Sequence, residues 1–126
     1  MKKEIAAGSL LLLLILGAIV NLFFLKGFVG GLSDQVDASR EACRQGDFQK
    51  AESLLRGAIE DWHGAEGYTH ILIRHSEIDS TQDAFYELLS DVISEDEKSA
   101  EGAYEKLLSH IGGLYTMERV TLGSIF

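Results

Sequence analysis

The chain has 126 residues, of which 46% are hydrophobic, and its formal net charge is −9. Residues 31–126 carry nineteen acidic and eight basic side chains, a formal charge of −11, and such a surface repels the phosphates of nucleic acids. We therefore expect no nucleic-acid partner. The single cysteine, Cys43, excludes a disulfide within the chain and a metal site built from several cysteines.

The N-terminal segment is a candidate membrane span. Twenty-one uncharged residues run from Ile5 to Leu25 and follow two lysines, Lys2 and Lys3. As a helix this run is about 30 Å long, which is the thickness of the hydrocarbon core of a bilayer. The lysines predict a cytoplasmic N-terminus. We expect this helix to contact membrane lipid directly.

A cleaved secretory signal is the alternative, because the small residues Gly30 and Gly31 can mark a cleavage site. The apolar run is longer than that of a usual signal, so we favour a retained anchor. The predicted location is the cell membrane, with a single pass. The predicted domains are an anchor over residues 1–30 and an acidic domain over residues 31–126 outside the cytoplasm.

Apolar residues continue past the span at alternating spacings of four and three, the period of a helix that faces a core. They are Leu25, Val29, Leu32, Val36, Ser39 and Cys43. The membrane helix is therefore predicted to continue as the first helix of the outer domain. Gly27 and Gly31 weaken this continuity and predict either a flexible joint or a site of helix pairing. Cys43 is expected to be a small buried hydrophobe, with an intermolecular disulfide as the alternative.

A second helix is predicted after Gly46, where Asp47 can cap the free backbone amides. Its apolar side holds Phe48, Ala51, Leu55, Ala58 or Ile59, and Trp62. The next stripe recurs at spacings of three and four and predicts one long helix. It consists of Tyr68, Ile71, His75, Ile78, Gln82, Phe85, Leu89 and Val92. A break near Asp79 and Ser80 is the alternative, because a capping-box pattern begins at Ser80.

A last helix is predicted after the capping-box pattern Ser94-Glu95-Asp96-Glu97. Its apolar side holds Ala100, Tyr104, Leu107, Leu108, Ile111 and Leu114 or Tyr115. We expect Gly112 and Gly113 to fray its end. The apolar residues that we expect to fold back onto the bundle are Leu122, Ile125 and Phe126.

The predicted fold is all-α, because strand alternation and proline are both absent from the sequence. We expect the transmembrane helix to continue into a small antiparallel bundle of about four helices, counting the extension of the first.

These features resemble the bacterial domain-of-unknown-function family numbered 4363. The resemblance covers nearly the whole chain, and its most distinctive residues are His75, Glu77, Ile78 and Asp79, supported by Trp62. The chain ends in Ser-Ile-Phe, whereas the family tends to end in Asn-Ile-Leu or Asn-Ile-Phe. The resemblance implies a small single-span protein of Gram-positive bacteria with a helical outer domain, and it implies no known activity.

Polar residues in the third helix are the candidate functional core: His75, Glu77, Asp79 and Gln82. His75 and Asp79 are four apart and can meet on one side of a helix, whereas Glu77 points elsewhere. We expect His75 to donate a hydrogen bond within the bundle and to fix its register. A pH-responsive role is the alternative, since an imidazole beside a carboxylate titrates near physiological pH.

No pattern typical of an enzyme occurs, so we expect neither catalysis nor a bound cofactor. His63, Glu66 and His70 have the spacing of a metal site, but the glycines beside them interrupt the helix, so we assign no metal ligand.

The primary hypothesis is an anchored interaction or scaffold protein. Its partner is expected to be another membrane or envelope protein, a homo-oligomer is an option, and Trp62 and Tyr68 are candidates for its interaction surface. The alternative is a module that senses a ligand, pH or a metal around His75 and Asp79.

Overall fold

The computed structural model describes residues 1–65 and 75–125, and the side chains of residues 1–65 and 77–116. This part of the chain forms four helices and no strand, so the all-α prediction is confirmed. The helices are α1 (Lys2–Arg44), α2 (Phe48–Gly64), α3 (His75–Ile93) and α4 (Glu97–Ile125).

The helices form an antiparallel bundle in which α1 and α3 each pack against both α2 and α4. Ser39 of α1 donates to the carbonyl of Ala51 near the start of α2, whereas Phe28 stacks on Trp62 near its end. Ser39 also bonds to Tyr104 of α4. We name the end of the bundle beside the apolar run of α1 the proximal end, and the opposite end the distal end.

Helix α1 joins the apolar run and one side of the bundle in a single helix of 43 residues. Among the described residues it is the one helix long and apolar enough to cross a membrane, a description that a signal sequence also meets. Its large apolar side chains are exposed as far as Phe24, except that Ile15 and Leu22 are half-buried. The predicted stripe beyond them is confirmed, with Leu25, Val29, Leu32, Val36, Ser39 and Cys43 all buried.

The glycines of α1 do not interrupt it, so the bundle and the apolar run share one continuous backbone. The buried core begins at Leu25 and therefore extends into residues 1–30, which we assigned to the anchor. The predicted boundary between the anchor and the acidic domain therefore does not separate two independently packed units.

The first distal turn ends α1 with a Schellman arrangement. Gly46 has φ +80°, a left-handed conformation that glycine adopts at little cost. The amides of Gly46 and Asp47 donate to carbonyls in the last turn of α1 at 3.0 and 2.9 Å. The Asp47 carboxylate accepts from the backbone amide of Lys50 at 3.2 Å, so the predicted cap of α2 is confirmed.

The second distal turn has the same hydrogen bonds, but Glu95 holds the left-handed position with φ 56°. The amides of Glu95 and Asp96 donate to carbonyls in the last turn of α3 at 3.1 and 3.0 Å. The Asp96 carboxylate then accepts from the amide of Ser99 at 3.1 Å. The predicted capping box starting at Ser94 is therefore wrong, because that residue still belongs to the turn that ends α3.

Helix α3 is unbroken from His75 to Ile93, so the alternative break near Asp79 and Ser80 is wrong. The hydroxyl of Thr81 donates to the carbonyl of Glu77 at 2.8 Å, which satisfies this buried group inside the helix. The part of the predicted long helix that precedes His75 lies outside the described residues. The buried residues of α3 include Ile78, Thr81, Phe85, Leu88, Leu89 and Val92.

Helix α4 buries most of its predicted apolar side, with Leu108 and Tyr115 half-buried at the margin. Its buried residues are Ala100, Ala103, Tyr104, Leu107, Ile111 and Leu114. The predicted fraying at Gly112 and Gly113 is wrong, because the helix continues to Ile125. Each glycine costs a helix about 1 kcal/mol, and burial of the neighbouring isoleucine and leucine outweighs this cost.

The predicted reversal of the chain after these glycines is also wrong, since the backbone stays helical. The side chains of Leu122 and Ile125, and all of Phe126, lie outside the described part of the chain.

Candidate functional site

An open groove between α1 and α2 lies at the proximal end of the bundle, with a volume of about 550 Å³. We name it the proximal groove. Its lining includes Phe24, Gly27, Phe28 and Gly31 from α1, and Glu60, Asp61 and Gly64 from α2. The two helices run antiparallel, which brings the end of α2 beside the outer end of the apolar run.

Three glycines keep the floor and sides of the groove open. A Cβ atom added at Gly27, Gly31 or Gly64 would meet nothing within 4 Å. The first two are four residues apart on one face of α1, the spacing at which another helix can approach closely. The groove therefore has room for an added backbone or side chain.

The groove combines an apolar half with an acidic half. Phe24 stands at the end of the apolar run, while Glu60 and Asp61 are exposed on α2. Asp61 accepts a hydrogen bond from the amide of Gln35, which ties the outer end of the groove across the two helices. None of the described lining residues is basic. The groove is thus suited to a segment that is apolar at one end and positively charged at the other.

Trp62 lies behind this groove in the core and is 1% exposed. Its ring stacks with Phe28 at a centroid distance of 6.3 Å and meets Phe85 of α3 at 5.9 Å. The prediction that Trp62 belongs to an interaction surface is therefore wrong, because three helices enclose it. Tyr68, the other predicted surface residue, lies outside the described residues.

The candidate polar residues of α3 do not form one cluster inside the bundle. Asp79 is exposed, so its predicted place beside the core is wrong, while Glu77 and Gln82 are half-buried. The side chain of His75 lies outside the described side chains. The helical backbone brings Ile78 and Thr81 to the core instead, because they share the face that contacts the other helices. A role for His75 stays a prediction.

A buried polar cluster joins three helices near the distal end. The hydroxyls of Ser39 and Tyr104 are 2.6 Å apart, and Ser39 donates to the carbonyl of Ala51 at 2.7 Å. Burial raises the pKa of Tyr104 to about 12, and the hydrogen bond with Ser39 opposes this shift. The phenol therefore stays neutral at physiological pH and acts as a hydrogen-bonding group of the core.

Cys43 lies next to this cluster and is 2% exposed. Burial raises the pKa of its thiol, and the negative charges of Glu97 and Glu101 raise it further. A thiol that stays protonated and enclosed is a poor nucleophile. The structure therefore supports a packing role for Cys43, and the alternative of an intermolecular disulfide conflicts with its burial.

An exposed ion-pair cluster links α1 to α4 at the distal end. Glu101 accepts hydrogen bonds from Arg44 at 2.6 Å and from Arg40 at 2.5 Å. These two bonds, with Arg44 first, lower the pKa of Glu101 to about 2. The carboxylate is therefore charged across the physiological range and holds the two helices together.

His63, one of the three residues with metal-site spacing, is 2.9 Å from the hydroxyl of Tyr86 on α3. Glu66 and His70 lie outside the described residues. Within the described ranges, no group of three histidine, cysteine, aspartate or glutamate side chains is placed to hold a metal ion.

Comparison with known proteins identifies the family. The family model described as Domain of unknown function (DUF4363) matches residues 20–125, and the chain belongs to this family. No curated protein and no solved structure matches the chain. The match begins inside the apolar run at residue 20, close to Leu25, where the core of the bundle begins.

The proximal groove was missed as a site by sequence reasoning, apart from one signal. The spacing of Gly27 and Gly31 indicated a place where another helix can approach. Nothing in the sequence indicated that Glu60 and Asp61 lie beside these glycines, because that juxtaposition depends on the packing of α1 against α2.

Proposed function

We propose that this protein is a membrane-anchored scaffold that holds an acidic helical bundle against the outer face of the cell membrane. The observation that carries the proposal is the construction of α1, which supplies both the exposed apolar run and one side of the bundle core. A bundle attached in this way stands at a fixed distance from the bilayer, as a scaffold requires.

A retained anchor is supported by the position of the core. Cleavage at Gly30 or Gly31 would remove Leu25, Phe28 and Val29, two of them buried and the third stacked on Trp62. Loss of these contacts would open the proximal end of the bundle. We expect the mature protein in membranes to retain its N-terminal segment. Its intact mass should show this, and a mass that lacks the first thirty residues would contradict the anchor.

The outside location is supported by the charges at the two ends of the apolar run. Lys2, Lys3 and the N-terminal amine outweigh Lys26 at the other end of the run, which favours a cytoplasmic start. Gln45, which is exposed in the first distal turn, can be replaced by cysteine to test this. In cells whose wall has been opened but whose membrane is intact, a membrane-impermeant maleimide should label Gln45→Cys. Labelling that requires broken membranes would contradict the topology.

We propose the proximal groove as the docking surface of the scaffold. Charge complementarity and position argue for one occupant, the outer end of a membrane span from another protein, with a lysine or arginine just beyond its apolar part. The apolar part would cover Phe24 and the glycines, and the basic residue would face Glu60 and Asp61.

Neighbouring phenylalanines provide a matched test in living cells. Phe24 lines the groove and Phe23 does not, and both are exposed. Benzoylphenylalanine at position 24 should form an adduct with another membrane protein, whereas the probe at position 23 should not. The peptide in the adduct should come from the outer end of a span that carries a basic residue.

Two further substitutions test whether the yield of the adduct depends on the shape and the charge of the groove. Gly31→Leu fills the groove and should reduce the adduct about tenfold, whereas Gly30→Leu places the same side chain outside the lining and should not. Glu60→Lys should also reduce it, with Asp37→Lys as the exposed control. Equal adducts from positions 23 and 24, or an adduct with a second copy of this chain, would overturn this assignment.

A further inference from the structure

The end of α4 runs toward the membrane beside α1. Leu22, Phe23 and Lys26 of α1 share a small cavity with Tyr115 of α4, whereas Ser39 bonds to Tyr104 farther out. Higher residue numbers in α4 thus contact lower residue numbers in α1, so the two helices pair antiparallel. Tyr115 marks the level at which α4 meets the outer end of the apolar run.

Helix α4 does not stop at that level. It continues for ten more residues, to Ile125, which corresponds to about 15 Å of helix beyond Tyr115. In the antiparallel pairing of Tyr115 with Leu22 and Lys26, this length runs alongside α1 down to between the levels of Leu12 and Leu16. Helix α4 therefore extends past the outer boundary of the apolar run.

Burial along α1 agrees with this placement. Apart from Asn21, the half-buried residues of the otherwise exposed run before Leu25 are Ile15, Ala18 and Leu22. Their spacings of three and four continue the stripe that starts at Leu25. The core-facing stripe of α1 thus continues down the side on which α4 packs.

The composition of this last part of α4 suits the boundary between lipid and water. Glu118 and Arg119 are its charged residues, and they stand in its first turn after Tyr115. The remaining residues up to the end of the chain are uncharged: Val120, Thr121, Leu122, Gly123, Ser124, Ile125 and Phe126. Charge near the bilayer surface with uncharged residues deeper is the distribution that a helix entering lipid requires.

We propose that residues 116–125 of α4 lie against the anchor within the outer leaflet of the membrane, so that the protein contacts lipid through two helices. This inference rests on the proposed function, because it requires α1 to be a membrane anchor. It adds a second, C-terminal lipid-contacting segment, which would stop the bundle from tilting about a single helix.

Environment-sensitive fluorescence at three positions tests the inference. In a Cys43→Ala background, the full chain would carry the fluorophore NBD at Leu11→Cys in the anchor, at Ser124→Cys, or at Gln45→Cys in the distal turn. Each variant would be reconstituted in phosphatidylcholine vesicles with and without lipids that bear a nitroxide near the end of an acyl chain. We expect NBD emission to shift to the blue and to lose about half its intensity to the nitroxide at positions 11 and 124, but not at 45.

The three positions separate the two proposals. If position 124 behaves like position 45 while position 11 is quenched, the C-terminal segment is outside the lipid and this inference is wrong, while the anchor stands. If position 11 also behaves like position 45, the anchor and the proposed function fail together. Circular dichroism of each variant would establish that the helices are retained.

Cross-linking tests the contact between the two helices independently. Extrapolating the antiparallel register from Leu22 and Tyr115 pairs position 15 with position 122. A short bifunctional maleimide should join Ile15→Cys to Leu122→Cys in membranes within one chain. The matched control is Leu13→Cys with Leu122→Cys, because Leu13 is exposed on nearly the opposite side of α1. Equal cross-linking from both positions would overturn the proposed packing.

Discussion

The two hairpins of this bundle, α1 with α2 and α3 with α4, are built on the same plan from unlike residues. Both turn at the distal end through a left-handed residue, Gly46 in one and Glu95 in the other, followed by an aspartate cap. Buried positions correspond when the chain is shifted by forty-nine residues, the separation of these two turn residues. Corresponding pairs include Val29 and Ile78, Val36 and Phe85, Ala51 and Ala100, Leu55 and Tyr104, and Trp62 and Ile111.

The hairpins differ in the side chains at their shared positions and in which of their helices extends beyond the bundle. The first has its polar contacts and its thiol on α1 at Ser39 and Cys43, where the second has Leu88 and Val92. The first hairpin also extends through its leading helix into the apolar run, and the second through its trailing helix to Ile125. The spacing of the buried residues and the turn thus define a hairpin, while residue identity at the shared positions decides what it can contact.

We expect the greatest loss of stability at the position of Trp62, the largest of the fully buried side chains. Trp62→Ala removes a side chain that contacts α1 and α3, and should lower the free energy of unfolding by about 4 kcal/mol. The corresponding Ile111→Ala should cost about 3 kcal/mol. Urea unfolding of the full chain in detergent micelles, followed by circular dichroism, measures both.

Ile93→Ala is the control, because Ile93 is 53% exposed, and it should change the free energy of unfolding by about 0.5 kcal/mol or less. A smaller cost for Trp62→Ala than for Ile111→Ala would show that the first hairpin does not depend on its aromatic contacts.

The two turns should respond in opposite directions to substitution. Gly46→Ala places a Cβ on a left-handed residue and should lower the free energy of unfolding by about 1 kcal/mol. Glu95→Gly removes such a Cβ and should raise it by about 0.5 kcal/mol. The same unfolding measurement applies. A loss of stability in both variants would mean that the Glu95 side chain contributes more than its backbone conformation costs.

The phenol of Tyr104, which stands where the first hairpin has Leu55, should stabilise the bundle through its hydroxyl. Tyr104→Phe removes the hydroxyl that bonds to Ser39 and should lower the free energy of unfolding by about 1 kcal/mol. Adding Ser39→Ala to this variant should cost less than Ser39→Ala does alone, because the two hydroxyls form one network. Additive costs would contradict that coupling.

A pH-dependent effect concerns the ion pairs that join the hairpins through Glu101. Its folded pKa of about 2 lies below the ordinary value of 4.5, so this stabilisation is complete above pH 4.5 and is lost as the pH falls toward 2. Solvent screens a carboxylate that is 38% exposed, which limits the loss to about 1 kcal/mol.

Unfolding measured between pH 6 and pH 2 should therefore be less steeply dependent on pH in Glu101→Gln than in the parent protein. Profiles of equal slope would show that this ion-pair cluster contributes nothing to folding.

Residue spacing was enough to predict the parts of this protein that depend on neighbours along the chain. The uncharged run to Leu25, the stripe through Cys43 and the cap at Asp47 each follow from local spacing or from a side chain that bonds to its own helix. Packing between helices supplied the contacts of α1 and α3 with Trp62, left Asp79 facing solvent and let α4 continue past Gly112. The physical reason is that periodicity reveals which residues share a face, whereas the helices packed on that face come from distant parts of the chain. Their contacts also supply the free energy that overrides a local preference to end a helix.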